Sequence, residues 1–180
     1  MSTTAPLIIR QLDAAELEQH TAALSDILAQ TVAAGASVGF ILPFGPDDAA
    51  AFWRDRVFAA VRRGDSLLFG AFLDGTLQGT VQLGIALPPN QPHRADVAKL
   101  LVHPAARRAG MGRALMQALE AKARALGKAL LVLDTRSGDP SQRLYESLGY
   151  RVAGSIPGFC RNPATEIYEP TTYLYKALNP

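Results

Sequence analysis

A basic, glycine-containing turn between an apolar strand and an amphipathic helix has the clearest chemical potential in this sequence. It reads Arg107-Arg108-Ala109-Gly110-Met111-Gly112-Arg113 and follows the apolar segment 100–102 and Pro104. The first amides of a helix lack internal partners and lie at the positive end of the helix dipole, so they attract phosphate groups. Glycine lets the backbone approach such an anion closely. The spacing therefore predicts a phosphate or pyrophosphate site in this turn.

Two other phosphate-binding motifs do not fit the turn. A Walker loop ends in Gly-Lys followed by Ser or Thr, which the sequence lacks here. The dinucleotide fingerprint needs a third glycine where this chain has Ala114 and Leu115, and it needs an early β-α-β unit. A structural loop with chance glycines remains the alternative.

Two aspartates near this turn are candidates for proton transfer or for binding a cation. Asp96 lies in the predicted strand 95–102 that leads into the turn, where apolar neighbours are expected. Asp134 ends the apolar run 129–134, at the strand end where α/β sheets usually bind ligands. The structural alternative for each is a strand-end carboxylate paired with arginine. His93 follows a proline-rich loop and is a candidate to line the same site, and no metal site is predicted.

The turn and one later segment resemble the GNAT superfamily of N-acetyltransferases. Arg107-x-x-Gly110-x-Gly112 is similar to that superfamily's acetyl-CoA motif, and the segment 144–150 is similar to its second cofactor segment. Four further segments look similar to the tabtoxin resistance acetyltransferases within it, namely 35–38, 93–100, 131–135 and 154–159.

The resemblance implies a role for most of the residues around the turn. Backbone groups of the strand would hold the pantetheine arm of acetyl-CoA and polarise the acetyl carbonyl, and the turn would hold the pyrophosphate. Tyr145 would contact the cofactor and protonate the departing thiolate, and Ser141 would contact the cofactor. The implied cofactor residues are Leu100, Leu101, Val102, Arg107, Arg108, Ala109, Gly110, Met111, Gly112, Arg113, Ser141 and Tyr145.

On the acceptor side, the resemblance implies that acidic residues at the positions of Asp96 and Asp134 take the proton of the attacking primary amine. A glutamate is expected at the first position, so Asp96 reaches one methylene less far and a bridging water would help it. The loop 35–44 is apolar, and such loops often line ligand sites, although simple packing on the core explains it as well. The predicted acceptor-lining residues are Ser37, Phe40, His93, Asp96 and Asp134.

The elements that must position these residues alternate between strand and helix patterns in the order β-α-α-β-β-β-α-β-α-β-β. Helices are predicted after Asp13 and Glu16, over 46–63, over 110–126 and after Asp139-Pro140. Asp74-Gly75 predicts a hairpin, the segments 150–156 and 172–176 predict two further strands, and Trp53 is predicted to be a core residue of the second helix. This order predicts a mixed α/β chain. The resemblance implies a single GNAT-like domain over residues 1–180, with a mostly antiparallel central sheet and helices on both faces.

Composition restricts the class of protein further. The chain has 180 residues, which favours one domain, and its formal net charge of +2 argues against a dedicated nucleic-acid binder. One cysteine fits a reducing compartment. The segment 1–10 lacks a secretory pattern, and no apolar run reaches the roughly 20 residues of a membrane span. We therefore expect a cytoplasmic protein without a membrane partner, as a monomer or a homodimer through an edge strand near the C-terminus.

Three functions are consistent with these features. The first is transfer of acetyl from acetyl-CoA to a primary amine of a small molecule such as a toxin, an antibiotic or an amino acid. The second is acetylation of a protein or peptide. The third is a regulatory acyl-CoA-binding domain without catalysis, against which Tyr145 and the two aspartates argue.

Overall fold

The protein is described by a computed structural model over residues 6–178. The described part of the chain excludes residues 1–5, which belong to the segment 1–10 in which no secretory pattern is predicted, and residues 179 and 180 of the predicted domain. The strands are β1 (Leu7–Leu12), β2 (Ser66–Leu73), β3 (Thr76–Gly84), β4 (Arg94–Val102), β5 (Leu130–Arg136), β6 (Arg151–Arg161) and β7 (Tyr168–Ala177). The α-helices are α1 (Thr21–Ala33), α2 (Pro46–Phe52), α3 (Ala59–Arg63), α4 (Met111–Ala125) and α5 (Pro140–Ser147).

The seven strands form one sheet in the order β1-β2-β3-β4-β5-β7-β6. Only β4 and β5 run parallel, and every other neighbouring pair is antiparallel. Asp74 and Gly75 both have positive φ, as the predicted hairpin between β2 and β3 requires. The sequence-based prediction of a mixed, mostly antiparallel sheet is confirmed.

Helices cover both faces of this sheet, also as predicted. One core cluster joins α4 and Tyr145 of α5 to residues such as Val81 and Leu131. The other joins α1 and α2 to Leu68 and Leu101 on the opposite face. Trp53, predicted to be a core residue, is fully buried there, and its indole nitrogen donates to the carbonyl of Leu24 over 2.9 Å.

The element boundaries differ from the predicted ones in three places. Asp13 and Glu16 do exchange backbone–side-chain hydrogen bonds, but a 3-10 turn at Leu17–His20 precedes the regular helix α1. The predicted helix 46–63 contains a π-helical stretch at Trp53–Phe58 between α2 and α3. Strands β6 and β7 are longer than the predicted 150–156 and 172–176, because a hairpin extends both. Within residues 6–178 no helix is long and apolar enough to cross a bilayer.

Candidate active site

The site is built where the two parallel strands β4 and β5 separate. Their pairing covers only residues 94–96 of β4 against 130–132 of β5. Beyond it, β4 pairs with β3 as far as Val102, and β5 pairs with β7 as far as Arg136. The C-terminal halves of the two strands therefore diverge, and we call the space between them the wedge. On the β4 side of the wedge, the backbone edge that faces β5 is not paired with that strand.

A β-bulge shapes the β4 side of this wedge. Thr80 and Gln82 of β3 are two residues apart, whereas their partners Leu101 and Ala98 on β4 are three residues apart, so β4 has one extra residue here. Lys99 lies in the bulge with a φ of 52°, an uncommon value for a residue other than glycine. Bulges re-aim side chains, and this one directs the Lys99 ammonium toward Phe40 and Phe52.

The basic turn lies at the open end of the wedge, directly after β4. Arg108 and Gly110 both have positive φ, and Gly110 is the N-cap of α4, so the first amides of the helix, which lack partners within it, follow directly on the turn. Arg107, Arg108 and Arg113 are all exposed. This arrangement fits the phosphate site that the sequence predicts.

Gly112 has a different structural reason from Gly110. A Cβ at Gly110 would meet open space, so that residue is required for its left-handed backbone. A Cβ at Gly112 would lie only 3.1 Å from Leu144 Cδ2, where α5 crosses the first turn of α4. Arg113 strengthens the same contact, since its Nη2 donates to Ser147 Oγ over 2.8 Å.

Tyr145 lies on α5, facing the sheet. Its residue is only 6% exposed, and its ring centroid lies 5.9 Å from that of Tyr150. Burial, with a smaller contribution from the charge of Asp134, raises the pKa of the Tyr145 phenol above its ordinary value. The phenol is therefore held in its protonated form, as a proton donor must be. Ser141, one turn earlier on α5, shares a 2.7 Å hydrogen bond with Thr135.

The two aspartates have different surroundings. Asp96 forms an ion pair with Arg94, so the alternative of an arginine-paired carboxylate applies to it. Asp134 lies on β5 beyond the point of divergence and is exposed, with part of its carboxyl shielded by the surrounding protein. Burial raises the pKa of the Asp134 carboxyl above its ordinary value, while the nearby Lys99 ammonium opposes that shift. Because Arg94 pairs with Asp96 and no salt bridge holds Asp134 among the described residues, Asp134 is the better placed of the two to accept a proton.

The apolar loop 35–44 lies beside the wedge, next to Lys99 and Arg136. Arg136 Nη1 donates to the carbonyl of Gly35 over 3.1 Å, and the amide of Leu42 donates to the carbonyl of Pro163 over 2.8 Å. Phe40 packs against Phe44 and Phe52 with ring centroids 4.4 and 5.0 Å apart. The loop thus both packs on the core and faces the wedge, with Ser37 half-buried in it.

His93 is the predicted site residue that the fold does not bring to the wedge. It is exposed and immediately precedes β4, and its carbonyl accepts from the amides of Ala129 and Leu130. It therefore lies at the end of the β4–β5 pair opposite to the divergence.

Two residues near the wedge were not predicted from the sequence. Lys99 was missed, although a lysine inside the apolar strand 95–102 was a usable signal. Arg136 was missed because nothing local marks it as the residue that joins Asp139, Glu169 and the loop 35–44. Within residues 6–178, no three His, Cys, Asp or Glu side chains gather as a metal site would need.

Comparisons with known proteins identify the family to which these features belong. The model of the acetyltransferase (GNAT) family matches residues 35–150. An uncharacterized N-acetyltransferase from the hisH-hisA intergenic region of Azospirillum brasilense is 32% identical over 137 residues, which cover 75% of this chain and 77% of that protein. The chain therefore belongs to the acetyltransferase (GNAT) family, and its enzyme class is that of the acetyl-CoA-dependent N-acetyltransferases.

Solved structures share the fold over nearly the whole chain. An N-acetyltransferase from Staphylococcus aureus is 19% identical with a TM-score of 0.78, covering 97% of this chain and all of that one. A protein from Salmonella typhimurium, described as an acetyltransferase and solved with its cofactor acetyl-CoA, is 23% identical with a TM-score of 0.75, covering 96% and 94%. At these identities the likeness concerns the fold. The expected relation to the tabtoxin resistance branch stays a prediction.

Proposed function

We propose that this enzyme transfers the acetyl group of acetyl-CoA to a primary amine of a small molecule by direct attack, with Asp134 as the base and Tyr145 as the acid. The observation that carries the proposal is the divergence of β4 and β5 beyond Asp96 and Val132. It leaves Asp134 and Tyr145 close enough for the charge of one to shift the pKa of the other, with the basic turn at the same open end.

The residues of this site fit acetyl-CoA. The first amides of α4 and the exposed arginines around Gly110 suit a pyrophosphate, and the edge of Leu100, Leu101 and Val102 that is not paired with β5 suits the amide groups of a pantetheine arm. When bound, acetyl-CoA supplies an activated thioester. The protein's own task is then to orient the amine and to move two protons.

Those two proton transfers divide between Asp134 and Tyr145. The Asp134 carboxylate takes the proton that the amine must lose, and burial makes it a stronger base than an ordinary carboxylate. The Tyr145 phenol gives a proton to the departing thiolate. A phenol with an ordinary pKa near 10 is already protonated throughout the physiological range, and burial raises that pKa further, so Tyr145 carries the proton it must give.

The loop 35–44 supports a small acceptor rather than a protein or peptide. It is fixed near both ends, by Arg136 at Gly35 and by Pro163 at Leu42, and its phenylalanines occupy the acceptor side. A polypeptide acceptor would need an open groove at this position.

The proposal is tested by thermal stabilisation with acetyl-CoA and by thiol release with a panel of primary amines. We expect stabilisation and turnover with at least part of the panel. Replacing Arg108 with alanine should raise KM for acetyl-CoA, whereas Arg151→Ala, which removes an exposed arginine of β6, should not. Stabilisation without turnover on any amine would support a non-catalytic binding domain, and the absence of stabilisation would contradict the cofactor assignment.

A further inference from the structure

The Lys99 ammonium has an unusual environment for a lysine. Its Nζ lies 5.5 Å from the ring centroid of Phe52 and 5.9 Å from that of Phe40. Within residues 6–178, it has no hydrogen-bond partner and no carboxylate within 4.0 Å. Burial lowers the pKa of this lysine, which the negative charge of Asp134 partly opposes.

Two other lysines are satisfied by protein groups. Lys176 is also largely buried, but its Nζ donates to Glu120 Oε2 over 2.7 Å and to the carbonyl of Leu148 over 2.6 Å. Lys128 donates to the carbonyl of Pro92. Two aromatic faces offset only part of the cost of removing an ammonium from water. The Lys99 ammonium therefore retains unused capacity to bind an anion.

The charges around the wedge indicate what kind of molecule would bring an anion to Lys99. Asp96 is paired with Arg94, which leaves Asp134 as the carboxylate without a salt bridge in this part of the described chain. Lys99 approaches the same space from β4, while Asp134 approaches it from β5. The acceptor side thus presents one negative and one positive group, which is the complement of a molecule that carries both an amine and an anionic group.

We propose that Lys99 is a specificity-determining residue that binds an anionic group of the acceptor, so that the substrate class is amino-acid-like molecules rather than simple amines. This rests on the proposed function, since Asp134 must receive the amine of the same molecule. The phenylalanines beside Lys99 contribute by excluding water from the anion and its partner, which strengthens their attraction.

The experiment compares amino acids with their own carboxamides, which keep the amine and lose the anion. Acetylation is followed by thiol release. Because the amines of a carboxylate and its carboxamide differ in pKa, kcat/KM is calculated for each substrate from the concentration of its unprotonated amine. We expect wild-type kcat/KM to favour the carboxylates by about 10- to 100-fold, the range for a hydrogen bond to a charged group. Lys99→Met should abolish this preference mainly through KM, and Lys99→Arg should retain part of it. Lys122→Met, in the last turn of α4, is the matched control and should leave it unchanged.

A binding measurement separates this inference from the function on which it rests. Carboxylic acids that lack the amine should protect the wild-type protein, with acetyl-CoA present, against thermal unfolding, and they should not protect Lys99→Met. Equal turnover of carboxylates and carboxamides by the wild-type enzyme would overturn the inference while leaving the proposed function intact. A Lys99→Met variant that slows the carboxylates and the carboxamides equally, with a shifted pH profile, would also overturn the inference, because Lys99 would then act only through Asp134. If no amine of the panel supported thiol release, the proposed function itself would be overturned.

Discussion

Replacing Gly112 with valine tests the contact between the cofactor turn and the helix that carries Tyr145. A Cβ at this position would lie 3.1 Å from Leu144 Cδ2, closer than the roughly 3.4–4 Å of ordinary contact. Valine adds two further methyl groups to that Cβ. Either the Leu144 side chain must move or the first turn of α4 must separate from α5, and the second movement displaces the predicted proton donor relative to the predicted phosphate site.

The size of the effect follows from overpacking and helix propensity. Inserting carbon atoms into a packed contact typically costs about 1–3 kcal/mol. Valine recovers only a few tenths of a kcal/mol because it is a better helix former than glycine. The net loss of stability is therefore about 1–2 kcal/mol, given that Leu144 is half-buried and has some freedom to move. For a chain of this length, this corresponds to a fall in Tm of about 2–8 °C.

A double-mutant cycle with Leu144→Ala identifies the cause. Alanine at 144 removes the atom that valine would meet, so the double variant should recover at least about 0.5 kcal/mol relative to the sum of the single changes. KM for acetyl-CoA should rise in Gly112→Val and fall back in the double variant. Gly110→Ala is the control: its cost of about 1 kcal/mol comes from a φ of 77°, so Leu144→Ala should not relieve it. Additive costs for the Gly112 and Leu144 changes would refute the reasoning.

Three other variants test the remaining parts of the site. Tyr145→Phe should lower kcat by about 10²- to 10⁴-fold with little change in acetyl-CoA affinity, and unchanged turnover would remove Tyr145 as the acid. Asp134→Asn should lower turnover most at neutral pH. It should also raise Tm at neutral pH, because ionising a carboxyl whose pKa is raised on folding destabilises the folded state. This gain in Tm should vanish below about pH 3.8, where the carboxyl is protonated in both the folded and the unfolded state. Arg136→Met should raise KM for the acceptor more than KM for acetyl-CoA, since it frees the loop at Gly35; equal changes would contradict that role.

The sequence by itself determined the elements and the cofactor end of the site, because both depend on local features. The amides at the start of α4 need only a strand, a turn with Gly110 and a helix in succession, and all three are readable within about twenty residues. The hairpin at Asp74-Gly75 and the burial of Trp53 likewise follow from local pattern. The resemblance to the acetyltransferase family added Tyr145, which is distant from the turn along the chain.

Only the tertiary structure decided the acceptor end. Asp96 and Asp134 are equivalent in sequence terms, and they differ because Arg94 pairs with one while the divergence of β4 and β5 isolates the other. His93 and Asp96 are three residues apart, yet only Asp96 borders the wedge. Lys99 gains its significance from a bulge and from Phe40 and Phe52, which are distant along the chain. The Arg94–Asp96 pair lies within one strand, but the position of Asp134 at the divergence and the approach of Lys99 to it depend on groups far apart in the chain, so no local pattern could predict them.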